Sequence, residues 1–417
     1  MSSPIWHPFT QHALTPDATM VTGGEGAWLA THSKNGNGGR LLDAISSWWV
    51  ITHGHRHPKI VEAIKIQADA LDQVIFAGFT HQPAEDLARA LLAIAPRGLA
   101  RVFYSDSGST AVEVALKMAL GFWRNQNKPR TRIIALEHAY HGDTVGTMSA
   151  GARGVYNAAY EPLLFDVVRL PFPQAGQEHQ TLECLEAAAA DAAALIVEPL
   201  IAGAGGMKIY PPALLHDMAR ICRRHGTLLI ADEVMTGFGR TGTLFACQQA
   251  GVTPDILCLA KGLTGGSLPL AATLCSQEIF DAHYSTDRSR TFFHSSSFTA
   301  NPIACAAARA NLQIWRDEPV LERIAMLGEM QEARLARLRG CFENVRRLGT
   351  ITAMDLKVSD PGYLASAAPD LIRFFHARGI LLRPLGNTIY VMPPYCVTAE
   401  ELDLVYNAIA EAAEKFP

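Results

Sequence analysis

Residues 227–266, TLLIADEVMTGFGRTGTLFACQQAGVTPDILCLAKGLTGG, constrain this chain more than any other stretch, because two short apolar runs in it each end on a reactive group. Residues 227–230 form a leucine and β-branched run that ends at Ala231, Asp232 and Glu233, the pattern of a buried strand with a carboxylate at its carboxyl end. Residues 255–259 form a second run, ending in Ala260, Lys261 and Gly262. Ligands of open α/β sheets collect outside the carboxyl ends of the strands, so an acid and an amine are expected in one crevice.

Lys261 is followed by Gly262, Leu263, Thr264, Gly265 and Gly266, which offer little to solvate an ammonium. A poorly solvated lysine has a lowered pKa and is a nucleophilic amine able to condense with an aldehyde. Pyridoxal phosphate (PLP) is the cofactor that uses such a pair, with Lys261 forming the Schiff base and Asp232 keeping the pyridine nitrogen protonated. Taken alone, the two residues also fit a glycine-flanked loop lysine and a strand-end aspartate capping a turn.

A chain of 417 residues, 49% of them hydrophobic, has material for large buried sheets in two or three domains. Its net charge of -4 and lack of long basic runs argue against a nucleic-acid partner. Eight cysteines without a CxxC pair are expected as buried thiols in a reducing compartment. The start, MSSPIWHPFTQH, has no secretory pattern. The longest apolar stretch, 187–201, is cut by Asp191 and Glu198 and is too short for a membrane span. A cytoplasmic protein without membrane contact is expected.

Residues 1–50 are rich in turn formers, with strands expected at 28–31 and 40–44 around a turn at 34–39, and they end in Ser46, Ser47, Trp48 and Trp49. Adjacent tryptophans usually pack one ring each way, and at a loop they equally wall a pocket. Helices are expected over 58–71 and 83–94, and a strand over 100–104. Next come Ser105, Asp106, Ser107, Gly108, Ser109 and Thr110, then a long helix with Ala111, Val114, Ala115 and Met118 on one face and a capping box between Thr110 and Glu113. Strand, small-residue turn and helix N-terminus together seat an anion such as phosphate, although an ordinary serine-capped helix reads the same.

A strand over 132–136 leads to Tyr140, His141, Gly142 and Asp143, where Tyr140 is placed to stack on a flat ring. The strand over 193–197 ends at Glu198, and a helix over 212–225 returns to the organising stretch. Strands alternating with helices from 100 to about 280 predict a largely parallel sheet. After a strand at 272–275, the polar and aromatic segment TFFHSSSFTANP precedes a helix starting near Ile303. Its Ser295, Ser296 and Ser297 face solvent or an anion. Beyond 310, long charged helices, strands at 351–356, 380–383 and 389–392, a helix over 370–378 and a final helix make a second, smaller domain.

Two patterns point elsewhere. His53, His55 and His57 alternate across Gly54 and Pro58 with no carboxylate or cysteine, which matches no usual metal spacing, so no metal is expected. Gly237, Gly239 and Gly242 match a dinucleotide fingerprint, but Asp232 and Glu233 precede them and would repel a pyrophosphate.

Taken together, SSWW at 46–49, DSGS at 106–109, YHGD at 140–143, the ADE run with TGFGRTG, Lys261, residues 294–302 and RPLG from Arg383 resemble the class III, fold-type I PLP aminotransferases over essentially the whole chain. The resemblance implies an α/β fold: a large domain (51–305) with a mainly parallel, seven-stranded-type sheet, and a smaller α+β domain built from both chain ends (1–50 and 306–417). It implies Lys261 as the Schiff-base lysine, Asp232 as the pyridine partner and Tyr140 as the stacking residue. Ser107, Gly108 and Ser109 would hold the phosphate, Ser296 would be a further cofactor-binding residue, and Ser297 would reach the phosphate from the neighbouring subunit of a homodimer with shared sites. Phe9, Trp48, Ser295 and Arg383 would line the substrate pocket, Arg383 gripping a carboxylate through its planar fork. Asp143, Glu198 and Arg240 would support the site.

WHPFT near the start and IYVMPP after Arg383 further resemble the branch that passes an amino group from S-adenosylmethionine to 8-amino-7-oxononanoate in biotin biosynthesis. Phe9 replaces that branch's usual tyrosine, and Ser295 and Ser296 its glycine and proline, so lysine is the alternative donor. Other readings are an ω-amino-acid:pyruvate transaminase, an NAD(P)-dependent oxidoreductase using Gly237–Gly242, and a non-catalytic PLP-binding protein.

Overall fold

The computed structural model describes residues 4–14, 18–32 and 39–416. Most of the turn expected at 34–39 lies outside the described residues. The organising element is a seven-stranded sheet of β1 (Leu99–Ser105), β2 (Arg132–Leu136), β3 (Val168–Leu170), β4 (Ala192–Val197), β5 (Leu228–Asp232), β6 (Ile256–Leu259) and β7 (Ala271–Ser276), in the spatial order β1-β7-β6-β5-β4-β2-β3. Only β7 runs antiparallel to its neighbours. Strands β4, β5 and β6 are buried along their whole length, as a sheet covered by helices on both faces requires.

Helix α1 (Gly108–Asn125) lays Ala111, Val114, Ala115 and Met118 against one face of this sheet. Its start differs from expectation. Ser107 is the N-cap, its Oγ accepting from Thr110 N at 3.2 Å while Thr110 Oγ1 accepts from Ser107 N at 2.9 Å. The box therefore closes three residues earlier than a Thr110–Glu113 pair would. Glu113 is left free to accept from Thr144 Oγ1 and Gly146 N, at 2.6 and 2.7 Å, and so ties the helix to the loop after β2.

A second apolar cluster joins the two ends of the chain, with Ala27, Leu42 and Trp49 against Phe375, Ile380 and Val391. Strands Met20–Glu25, Trp28–His32 and Gly39–Asp43 form one sheet with Ile380–Leu381, and Glu343–Leu348, Ile351–Asp355 and Thr388–Val391 form another. Met20–Glu25 and Glu343–Leu348 escape the sequence reading because both are largely exposed edge strands without apolar alternation. The eight cysteines are free, but Cys184, Cys341 and Cys396 are exposed, contrary to the expectation of buried thiols. No helix among the described residues is long and apolar enough to cross a membrane.

Candidate active site

Strands β5 and β6 are parallel neighbours, with Asp232 opposite Cys258, so the acid ends one strand and the amine follows the end of the next. Both line a cavity of about 460 Å³ at the carboxyl edge of the sheet, together with Ser107, Gly108, Ser109 and Tyr140. Lys261 holds φ at 44°, a conformation that non-glycine residues seldom take and that turns its side chain out of the strand line. Burial lowers its pKa from the ordinary lysine value, with Asp232 acting in the opposite sense. The Trp49 ring centre lies 5.0 Å from its Nζ.

Asp232 is buried and held from two sides. Its Oδ1 accepts from Val234 N at 3.1 Å, and its Oδ2 accepts from His141 Nδ1 at 2.7 Å. With that proton directed at the carboxylate, the buried Nε2 of His141 has no protein partner. Glu198 lies behind this pair, accepting from Tyr140 N and Gly203 N, each at 3.0 Å. Burial pushes Glu198 up to about 7, against the pull of the His141 ring. Tyr140 is partly buried, and burial with Asp143 beside it raises its phenol well above the ordinary tyrosine value.

The opposite end of the cavity is the N-terminus of α1, whose first-turn N–H groups and dipole favour an anion. Close approach of backbone is needed here: a Cβ on Gly108 would lie 2.6 Å from Val234 Cγ1. Ser109 Oγ accepts from Asp143 N at 3.2 Å, which links the anion seat to the Tyr140 loop. A lysine of lowered pKa, a buried carboxylate with an unpartnered imidazole nitrogen behind it, an aromatic wall and an open helix end fit a phosphorylated heterocyclic aldehyde such as PLP.

A further cavity of about 330 Å³ shares Trp49, Tyr140 and Lys261 with the first and is walled by Phe9, Trp48 and Arg383. Both tryptophans line it, the pocket-wall alternative of the two readings for the pair. Ser46, Ser47, Trp48 and Trp49 all have positive φ, at 54°, 45°, 74° and 74°. A left-handed conformation costs about 1–2 kcal/mol per L-residue through Cβ–carbonyl crowding. Trp49 is buried, with its Nε1 donating to Tyr390 Oη at 3.0 Å, while Trp48 is 38% exposed. Phe9 packs edge-on against Trp48 at 5.6 Å, and the Arg383 guanidinium lies 5.6 Å from the Trp48 ring centre while donating to Phe9 O at 2.6 Å.

Arg240 lines neither cavity; it is 1% exposed and donates to Trp49 O, Ile51 O and Pro393 O at 3.2, 2.8 and 3.1 Å. Ser296 Oγ bonds Asp106 of its own chain, whereas Ser295 and Ser297 are exposed and line neither cavity. Sequence reasoning missed Tyr156 and Tyr363. Tyr156 packs on Tyr140, Phe9 and Tyr363, at ring separations of 6.0, 6.0 and 4.6 Å. Each stands alone in a loop without periodicity, so only the approach of distant segments reveals them.

The two patterns set aside have structural work. Gly237, Gly239 and Gly242 lie in turns that open no helix, while Glu233 accepts from Ala246 N and Cys247 N at 2.7 and 2.8 Å. His53 Nε2 bonds Asn311 Oδ1 and His55 Nε2 bonds Asp43 Oδ2, both at 2.9 Å.

Comparison with known proteins agrees with this geometry. The adenosylmethionine-8-amino-7-oxononanoate aminotransferase of Synechococcus elongatus is 48% identical over 99% of this chain and 98% of its own, and that of Geobacter sulfurreducens is 39% identical over 98% and 95%. The crystal structure of the enzyme of that name from Methanocaldococcus jannaschii superposes with a TM-score of 0.94 at 35% identity, covering 99% of this chain and 97% of the other. An amine transaminase from an uncultivated Pseudomonas species, in its PLP-bound form, superposes at 0.91 with 33% identity over the whole of both chains. The sequence profile described as aminotransferase class-III matches residues 10–413. With a match of that extent and relatives this similar along their full length, the chain belongs to the class III aminotransferases.

Proposed function

We propose that this protein is the PLP-dependent transaminase that aminates 8-amino-7-oxononanoate to 7,8-diaminononanoate in biotin biosynthesis, with S-adenosylmethionine as amino donor. The observation that carries the reading is the pairing of Lys261 and Asp232 in one cavity that shares Trp49, Tyr140 and Lys261 with a second one walled by Trp48 and Arg383. The names of the similar enzymes support the acceptor and the donor.

When bound, PLP supplies an aldehyde to carry the amino group and a ring that accepts electrons. Lys261 would be the residue that holds the aldehyde and the base for a proton at the substrate carbon, and the burial that lowers its pKa favours the neutral amine. Asp232, its second oxygen fixed by His141, would keep the pyridine nitrogen protonated. Tyr140 would stack on the ring, and Gly108 and Ser109 would bind the phosphate at the α1 N-terminus. Arg383 pairs with the acceptor carboxylate and Trp48 walls its chain. Asp143, Glu198 and Arg240 support these groups.

A homodimer with shared sites belongs to this reading. Ile75, Phe79, Phe293 and Phe298 are each more than 60% exposed, and such large exposed apolar side chains around the segment of Ser295, Ser296 and Ser297 suit burial by a second copy. Ser296 and Ser297 would then approach the neighbouring phosphate. We take residues 51–305 as the cofactor-binding domain and both chain ends as the small one, a division supported by the apolar cluster that unites the ends. We place the protein in the cytoplasm.

Phe9 favours a second reading for the donor, lysine, because no hydroxyl stands at that position beside Trp48 and Tyr156. Titrating the PLP-loaded enzyme with S-adenosylmethionine and with lysine, in separate half-reactions, tests both. Loss of the cofactor's lysine-bound absorbance with the former alone is expected. Loss with lysine alone reassigns the donor, and loss with neither ends the proposal.

A further inference from the structure

Four consecutive left-handed residues without a glycine persist only where their surroundings over-determine them. At the start of the Ser46–Trp49 turn stands Asp43, with no exposed surface. Its Oδ1 accepts from Ser47 N at 2.9 Å and Ile45 N at 3.3 Å, and its Oδ2 accepts from Ser47 Oγ at 2.7 Å and His55 Nε2 at 2.9 Å. Both oxygens are thus committed to the turn and to the imidazole that braces it. Asp43 lines neither cavity. In the parallel pair of strands it stands opposite Leu381, two residues before Arg383, so one strand pair delivers the Trp48 wall and the Arg383 cation to the same pocket.

We propose that Asp43 is a positioning residue for acceptor selection: braced by His55, its carboxylate holds the Ser46–Trp49 turn left-handed and so sets Trp48 against Phe9 and Arg383. The proposal rests on the reading that this pocket takes a carboxylate-bearing acceptor. Asp43 reaches neither the Lys261 amine nor the pocket, so its removal disturbs recognition more than chemistry.

The test compares PLP-loaded Asp43→Ala, Asp43→Asn and Asp43→Ala/Ser47→Gly, reading KM for the keto acceptor, kcat and the absorbance of the lysine-bound cofactor. Asp43→Ala is expected to raise KM about tenfold with kcat changed less than about threefold and the absorbance kept, the loss of several hydrogen bonds to one carboxylate. Asp43→Asn recovers part of the loss, since its oxygen still accepts from the backbone. Adding Ser47→Gly also recovers part, because glycine takes positive φ without steric penalty. An unchanged KM in Asp43→Ala, or a fall in kcat alone, overturns the proposal. If Asp43→Ala does not fold, Ser47→Ala, which removes one of these bonds, is expected to raise KM about twofold to threefold, and an unchanged KM overturns. A crystal structure of Asp43→Ala gives a readout independent of turnover: Ser47 and Trp48 leaving the left-handed region supports the proposal, and their staying overturns it. Failure of the transaminase reading shows separately, as unmodified enzyme whose absorbance no amine alters.

Discussion

The floor and the roof of the site are built in opposite ways. The floor, Asp232 and Lys261, stands on adjacent strands of a sheet buried on both faces, and each residue lies at or just past the end of an apolar run. The roof, made of Phe9, Trp48, Trp49 and Arg383, is gathered from both ends of the chain, and its tryptophans sit in a strained turn held by hydrogen bonds to Asp43 and Tyr390 and from Arg240. In the proposed function, chemistry common to the family is assigned to the part built on buried strands. Substrate choice is assigned to the part whose geometry depends on several separate contacts.

The sharpest way to break this contrast is at the floor. Lys261→Ala is expected to lower kcat by about a thousandfold or more, in keeping with loss of a positioned acid–base group, and single-turnover kinetics with donor check it. Asp232→Asn should follow at roughly a hundred- to thousandfold, the range for one removed electrostatic stabiliser, with the cofactor retained. Should either variant change KM alone, floor and roof would not divide the labour as described. At the roof, Arg383→Ala is expected to raise KM for the carboxylate-bearing acceptor about ten- to a hundredfold, the value of a hydrogen bond to a charged group, and to leave the donor half-reaction nearly unaltered.

Glu198 sharpens the comparison through pH. Its folded pKa, about 7, lies above the ordinary 4.5, so its contribution to stability is complete below pH 4.5 and declines as pH rises through 7. In cofactor-free protein, denaturant titrations at pH 5 and pH 8 are expected to show wild type losing about 2–4 kcal/mol relative to Glu198→Gln over that interval. The smallest effect is expected at Gly108→Ala. The new Cβ displaces Val234 and should weaken PLP binding about threefold to tenfold, with kcat at saturating cofactor little changed; equilibrium dialysis measures it.

The floor was legible because its signals are local. Strand patterns at 227–230 and 255–259, the small-residue turn before α1 and the loop after β2 each announce themselves within ten residues, and all four meet at the carboxyl edge of the sheet. Trp48 and Arg383 were placed by resemblance to a family, and their arrangement was not legible. Nothing in SSWW shows a left-handed turn, and the adjacent tryptophans left one-each-way packing and a shared pocket wall equally open. Tyr156 and Tyr363 were missed for the same reason, and the capping box moved because Ser107 and Thr110 are both competent caps three residues apart.

By itself the sequence determined the alternating strands and helices that build the large sheet, the amine and acid at successive strand ends, and the small-residue turn that starts α1, since periodicity and turn chemistry act over a few residues. Tertiary structure alone decided that His141 backs Asp232, that Arg240 clamps backbone carbonyls, and that Asp43 accepts from Ser47 in the Ser46–Trp49 turn. Those outcomes depend on which distant groups are buried together, because a buried donor or acceptor takes whatever partner the fold brings within reach.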